Sequence, residues 1–262
     1  MLYELKIFIE VMVFLLGLAI GSFFNVCIYR IPREESVVSP PSHCPSCGRQ
    51  ILWWQNIPVL SYMFLRGRCY FCKEPISPRY MLVELLTGIL FLAVYLHSGW
   101  QPVTICWLIF VSLLIPITFI DLDHQIIPDR FSLSGIVLGF LCSLAGLTIP
   151  WGESALGIII GGGVLWLIAE GYYRLTGRDG MGGGDVKLLA MIGAFLGVKS
   201  LLLIILVSSL VGSVVGVSLM VINKENSQFA IPFGPFLAFG ALVYLFWGQP
   251  LLSWYLGLMV GI

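Results

Sequence analysis

Eight runs of mainly apolar residues, at about 7–28, 80–97, 103–120, 132–149, 155–173, 186–198, 200–222 and 230–247, constrain this chain more than any other feature. A helix needs roughly 20 such residues to cross a bilayer. The chain is 58% hydrophobic and only 11% charged, where an ordinary soluble domain has about 25% charged residues. The expected fold is therefore an all-α polytopic membrane protein with about eight transmembrane helices in contact with the lipid bilayer. The sixth run is short and only Gly197, Val198 and Lys199 separate it from the seventh, so the two form either a tight helical hairpin or one span with a re-entrant piece. The first run lacks the basic lead-in and cleavage site of a signal peptide and is read as a retained span. The stretch 250–262 is too short to cross alone.

Orientation follows from the basic residues, because loops on the cytoplasmic side retain Lys and Arg. With the N-terminus outside, twelve of the 14 basic residues fall in inside loops, leaving only Lys6 and Lys199 outside. The formal net charge of zero thus conceals a strong asymmetry between the two faces, and nothing in it points to nucleic acid as a partner. Residues 29–79 form the one long polar segment, rich in Pro, Cys and Arg. The expected organisation is a first span over 1–28, a cytoplasmic module over 29–79 and a membrane core over 80–262. The glycines of "GIIIGGG" (157–163) suit close packing of helices in a membrane.

Within the polar module, "CPSC" (44–47) and "CYFC" (69–72) place two Cys-x-x-Cys pairs 21 residues apart, the pattern of a four-thiolate zinc site with a slightly long spacer. Each pair lets two sulfurs reach one metal from a tight turn, so Cys44, Cys47, Cys69 and Cys72 are the expected ligands. About 50 residues hold little core of their own, and zinc would supply much of the folding energy. Two disulfides are disfavoured by a reducing cytoplasm, and a redox dithiol needs only one pair. His43 is an alternative ligand beside the site. Cys27, Cys106 and Cys142 lie in spans and are read as packing residues.

Ionisable groups in spans are costly and mark functional sites. Asp121 ends the third run and Asp185 opens the sixth, which brings both to the cytoplasmic depth of the membrane. Two carboxylates at one level can form an aspartyl dyad, in which one proton is shared, the ionised member activates water and the protonated member polarises a scissile carbonyl. Asp123 and Asp129 are rivals on the same side. Positions 121 and 123 differ by about 200° around a helix, so only one can face a shared partner. Asp129 follows Pro128 at a helix start, where an acid is favourable without any chemistry. In "GMGGGDVKLLA" (180–190), Gly182, Gly183 and Gly184 precede Asp185. Lacking side chains, they can admit an extended peptide and permit a break in helix geometry. The run matches neither phosphate-binding glycine pattern, and the adjacent carboxylate would repel an anion.

Four blocks in this order, "GSFFNVCIYRIP" (21–32), the paired cysteines, "IDLDHQIIPD" (120–129) and the Gly-x-Gly-Asp of 182–185, resemble the bacterial type IV prepilin peptidases. The resemblance runs from about residue 17 to "IPFGPFLAFG" at 231–240. It implies an inner-membrane aspartyl protease that removes the short basic leader from type IV prepilins and from the pseudopilins of type II secretion, cutting after glycine on the cytoplasmic side. It also implies methylation of the new N-terminal residue with S-adenosylmethionine as donor, while cleavage itself needs no cofactor. Asp121 and Asp185 become the catalytic pair, with Asp123 demoted. The four cysteines match the tetrad of the bifunctional members. Arg79 and Glu84 in "ISPRYMLVELLTG" match a further block and are candidates for methyl transfer, although Glu84 also suits an ion pair with Arg79. Relatives commonly carry Pro where this chain has Met81. Two other classes compete: a transporter whose membrane acids relay protons or bind cations, and an assembly protein whose zinc module recruits a cytosolic partner.

Overall fold

The structure, a computed structural model, describes residues 2–177, 182–223 and 232–260. Arg178 and Lys224, two of the inside basic residues, lie outside this set. Each expected run holds a helix: α1 (Leu2–Arg30), α3 (Arg79–Ser98), α4 (Pro102–His124), α5 (Asp129–Leu144), α6 (Trp151–Thr176), α7 (Gly183–Leu196), α8 (Val198–Asn223) and α9 (Gly234–Val260), with the short α2 (Leu60–Phe64) in the polar module. Among the described residues there is no β-strand beyond two isolated bridges. Among the described residues, five helices, α1, α3, α4, α6 and α8, are long and apolar enough to cross a membrane. At 16 and 14 residues, α5 and α7 are shorter than the roughly 20 residues of a full crossing. Contacts divide the chain into two compact units, 1–116 and 117–262. The division falls inside α4 at Pro116, which cannot donate a hydrogen bond to the preceding turn.

In the N-terminal unit, α1 lies against α3 at backbone distance. A Cβ on Gly17 would come within 2.8 Å of the Gly88 Cα, and one on Gly21 within 2.8 Å of the Glu84 Cα. Such small-residue contacts replace the hydrophobic effect as the source of helix association in lipid, through dispersion and interhelical hydrogen bonds. Asn25 supplies one of these, its side-chain amide donating to the Tyr80 carbonyl at 2.9 Å. The polar module carries two matching turns. His43 bridges to Gln50 and Arg68 to Pro75, and the left-handed residue falls four places after the first cysteine in each, Gly48 (φ 68°) in one and Lys73 (φ 62°) in the other. Aromatic edges brace them, with Trp54 and Tyr70, and Tyr70 and Phe71, each 5.2 Å apart.

In the C-terminal unit, α7 is surrounded. It packs on α5, α6, α8 and α9, and residues 188 to 196 are all buried. The tightest approach is to α6, where a Cβ on either Gly157 or Gly193 would sit 2.2 Å from the other's carbonyl oxygen. The Ser154 hydroxyl donates to the Ala194 carbonyl at 2.7 Å along the same seam. The expected packing role of the 157–163 glycines holds for Gly157 and Gly161, whereas Gly163 faces open space. At its C-terminal end α7 turns straight into α8 through Gly197 at φ 80°, a conformation that side chains resist. The sixth and seventh runs are therefore two helices joined at one residue.

Candidate active site and cysteine cluster

Asp121 lies in the last turn of α4, one turn past Pro116, and is buried at 5% exposure. Its Oδ2 accepts the backbone N–H of Gly234 at 3.0 Å. Gly234 is the first residue of α9, so the carboxyl sits at a helix N-terminus, where unpaired N–H groups and the helix dipole favour negative charge. Asp185 occupies the first turn of α7 and is half-buried. It too has a helix N-terminus for support.

Ile127 links the two ends. Buried in the short α4–α5 connection, it lies 2.8 Å from where a Cβ on Gly184 would be and 3.2 Å from where one on Gly234 would be; the Gly234 position is also 2.6 Å from Asp121 Oδ2. Gly234, which binds Asp121, and Gly184, which precedes Asp185, thus rest on one side chain. Asp123, two residues on, is exposed, as the 200° rotation requires. Asp129 starts α5 and binds Lys187 of α7 at 2.6 Å, tying the α5 start to the turn that carries Asp185.

The three glycines have different surroundings. Gly182 is extended at φ −71° and ψ 140° and caps α7, so the break in helix geometry comes at Gly182 and Asp185 is already helical. Gly183 has nothing within 4 Å of a would-be Cβ, whereas Gly184 is pressed against Ile127. Open backbone is thus confined to Gly182 and Gly183, both exposed. None of the three has a positive φ, so it is the missing side chain that matters here and not left-handed backbone.

In the polar module the sulfurs of Cys44, Cys47, Cys69 and Cys72 all lie within 4.8 Å of one another. Cys44 and Cys72 are 3.8 Å apart, close to the ~3.8 Å edge of a tetrahedron with Zn–S bonds of about 2.3 Å. The backbone N–H of Cys72, helped by that of Phe71, brings the Cys69 thiol down to about 6. At Cys72 the Glu74 N–H acts in the same direction, but desolvation and the other three thiols prevail and push it up to about 11. Successive ionisation is thus opposed within the group, and a dication would relieve that opposition. Four converging thiols at this spacing fit zinc. His43 is outside the cluster, its ring nitrogen 3.2 Å from the Pro41 carbonyl.

Arg79 opens α3. One turn on, buried Glu84 accepts the Val59 N–H at 2.7 Å. Sequence reasoning missed Val59 and Gly234, backbone donors 25 and 113 residues from the acids they bind, and also Ile127 and Lys187, which lie inside motif blocks but whose partners Gly184 and Asp129 are brought to them only by the fold.

Two family profiles match the chain, the Bacterial Peptidase A24 N-terminal domain over residues 15–98 and the Type IV leader peptidase family over 108–217. A protein of Aeromonas hydrophila is 41% identical, with 94% of this chain and 93% of that one aligned. This chain belongs to the type IV leader peptidase family. A Neisseria gonorrhoeae relative is 42% identical over 85% of each chain, and one from Legionella pneumophila is 37% identical over 95% of each. All three relatives are named prepilin leader peptidase/N-methyltransferase. No solved structure matches. Membership of the leader peptidase family and the five apolar helices make this an integral membrane protein, and the transporter reading finds no support in its relatives.

Proposed function

We propose that the chain is a membrane aspartyl endopeptidase that removes the leader from type IV prepilins and type II secretion pseudopilins and then N-methylates the new N-terminal residue. The site is in the cytoplasmic face of the bacterial inner membrane, as the basic residues of the inside loops indicate. What supports the reading is that Asp121 and Asp185 sit at two helix N-termini whose glycines, Gly234 and Gly184, both pack on Ile127, in a chain 41% identical over 94% of its length to a named prepilin peptidase. The ionised member of the pair removes a proton from water as the water attacks the carbonyl carbon of the bond after glycine. The protonated member passes its proton to the carbonyl oxygen, giving a neutral tetrahedral diol. The diol then returns a proton to that carboxylate as the C–N bond breaks and the other acid delivers water's proton to the leaving amine, while two helix N-termini offset the charge that develops nearby. Gly182 and Gly183 leave room for an unwound substrate backbone beside Asp185. Cleavage takes no metal or organic cofactor.

Cys44, Cys47, Cys69 and Cys72 would hold a structural zinc ion that ties the two turns of the module together. S-adenosylmethionine, when bound, supplies the methyl group. Arg79 and Glu84 belong to the part of the chain assigned to that transfer.

The test is purified protein in detergent mixed with a prepilin, with product mass read by mass spectrometry. Asp121→Asn and Asp185→Asn each lower cleavage by at least about 10³-fold, as expected when one member of a unit that works jointly is lost. Asp123→Asn retains cleavage within a few-fold. Normal cutting by Asp121→Asn with an intact substrate under Asp123→Asn would mean the wrong acid has been assigned. Cutting by both Asp121→Asn and Asp185→Asn would end the protease mechanism proposed here.

A further inference from the structure

We infer that the methyl donor binds in a cavity of 390 Å³ between α1 and the polar module, with Arg30 receiving its carboxylate. This rests on the reading that the chain methylates its product. The cavity is of the size used for small-molecule sites, roughly 300–1,000 Å³. One wall is the face of α1 that carries Ala19, Ser22 and Arg30, and the other is module backbone and side chains including Ser42, Asn56 and Pro58. All of it lies in the N-terminal unit, within the span of the N-terminal profile, whereas the aspartates and the peptidase profile begin beyond residue 107. The second activity in the relatives' names therefore has a separate part of the chain in which to reside.

Arg30 supplies the main argument. It is only 6% exposed, and its two described partners are neutral carbonyls, Ser36 O to Nη1 and Pro40 O to Nη2, each at 2.8 Å. Those bonds fix the guanidinium in the cavity wall and leave further N–H donors of its five. A buried cation among neutral partners is costly, and an anion brought beside it repays much of that cost. A ligand that offers one carboxylate together with a diol and a flat heterocycle meets what remains, namely the hydroxyls of Ser22 and Ser42, the amide of Asn56 and the apolar prolines.

Glu84 is a positioning residue for this cavity. Its carboxylate takes the Val59 N–H at 2.7 Å, and its Cα lies 2.8 Å from where a Cβ on Gly21 of α1 would be, so it stands between the Pro58–Val59 wall and the α1 wall. Val59 is held at φ 61°, a costly conformation for a β-branched residue that persists only when its surroundings impose it.

Equilibrium binding of tritiated S-adenosylmethionine to the full-length protein in detergent tests the assignment, with thermal unfolding to verify folding. Arg30→Gln and the cavity-filling Ala19→Trp each weaken binding by about tenfold or more, or 1.4 kcal/mol, and Ala19→Trp removes no hydrogen bond that the fold uses. Glu84→Ala raises the donor Kd while methyl transfer at saturating donor is retained, a split that general destabilisation would not produce. Donor affinity unchanged in both Arg30→Gln and Ala19→Trp places the donor elsewhere and overturns the inference. Displacement of the donor by anionic phospholipid but not by S-adenosylhomocysteine also overturns it, making the cavity a lipid headgroup site. If the unaltered protein neither binds donor nor methylates a cleaved pilin, the methyltransferase reading falls as well.

Discussion

Gly234 shows how much of the site depends on a group that sequence reasoning passes over. Its N–H holds Asp121 Oδ2 at 3.0 Å, and a methyl group in its place would sit 2.6 Å from that same oxygen. Gly234→Ala should push the carboxylate out of register. Since small misplacements of a catalytic group can cost about 100-fold, cleavage is expected to fall by that order with unfolding temperature little changed. The expected result in a cleavage assay is a loss in kcat with KM for the prepilin held; unaltered kcat would mean that Asp121 tolerates displacement. Gly184→Ala meets Ile127 instead, so its defect should be relieved by Ile127→Ala in the same chain. That both acids lie at helix ends was legible from position, at the end of one apolar run and the start of another, although the choice of Asp121 over Asp123 came from the family resemblance. Their supports were not, because Gly234 lies 113 residues from Asp121 and a backbone N–H leaves no mark on a sequence.

The helices themselves were readable because apolar length and helical geometry leave few alternatives in lipid. What could not be read was the difference between a helix that crosses and one that is enclosed. The run at 186–198 looked like a short span, yet α7 is buried from Leu188 to Leu196 by four neighbouring helices. Its seam with α6 depends on Gly157 and Gly193, whose hypothetical Cβ atoms meet backbone and not a flexible side chain. Backbone cannot yield as a rotamer can. Gly157→Ala and Gly193→Ala should therefore destabilise at or above the upper end of the usual 1–3 kcal/mol for overpacking, seen as lowered unfolding temperature in detergent. Gly163→Ala, facing open space, serves as the neutral comparison.

At the scale of the whole molecule, the two units carry different kinds of cohesion. The C-terminal unit is held by helix packing, whereas the cysteine turns of the N-terminal unit have few buried apolar side chains near them and depend on the sulfurs. One zinc ion per chain is expected by elemental analysis. Chelation should open Arg49, Arg66, Arg68 and Lys73 to trypsin, while Arg130 and Lys187 keep their protection; Cys72→Ser should do the same without chelator. Equal protection with and without chelator would show that the module folds on its own. The spacing of the cysteines predicted the cluster, and the matched left-handed residues explain why, since Gly48 and Lys73 close equivalent turns. Lys73 was invisible to the sequence reading because lysine does not advertise that conformation.

The enclosure of α7 also bears on how the enzyme senses its surroundings. Fourteen residues rise only about 21 Å, less than a hydrocarbon layer of roughly 30 Å, and from Leu188 onward the helix has no face left for acyl chains. The depth of Asp185 is consequently fixed by neighbouring protein. A thicker or thinner membrane would be absorbed by tilting of the outer helices, leaving the level of the Asp185 carboxyl independent of the lipid around it.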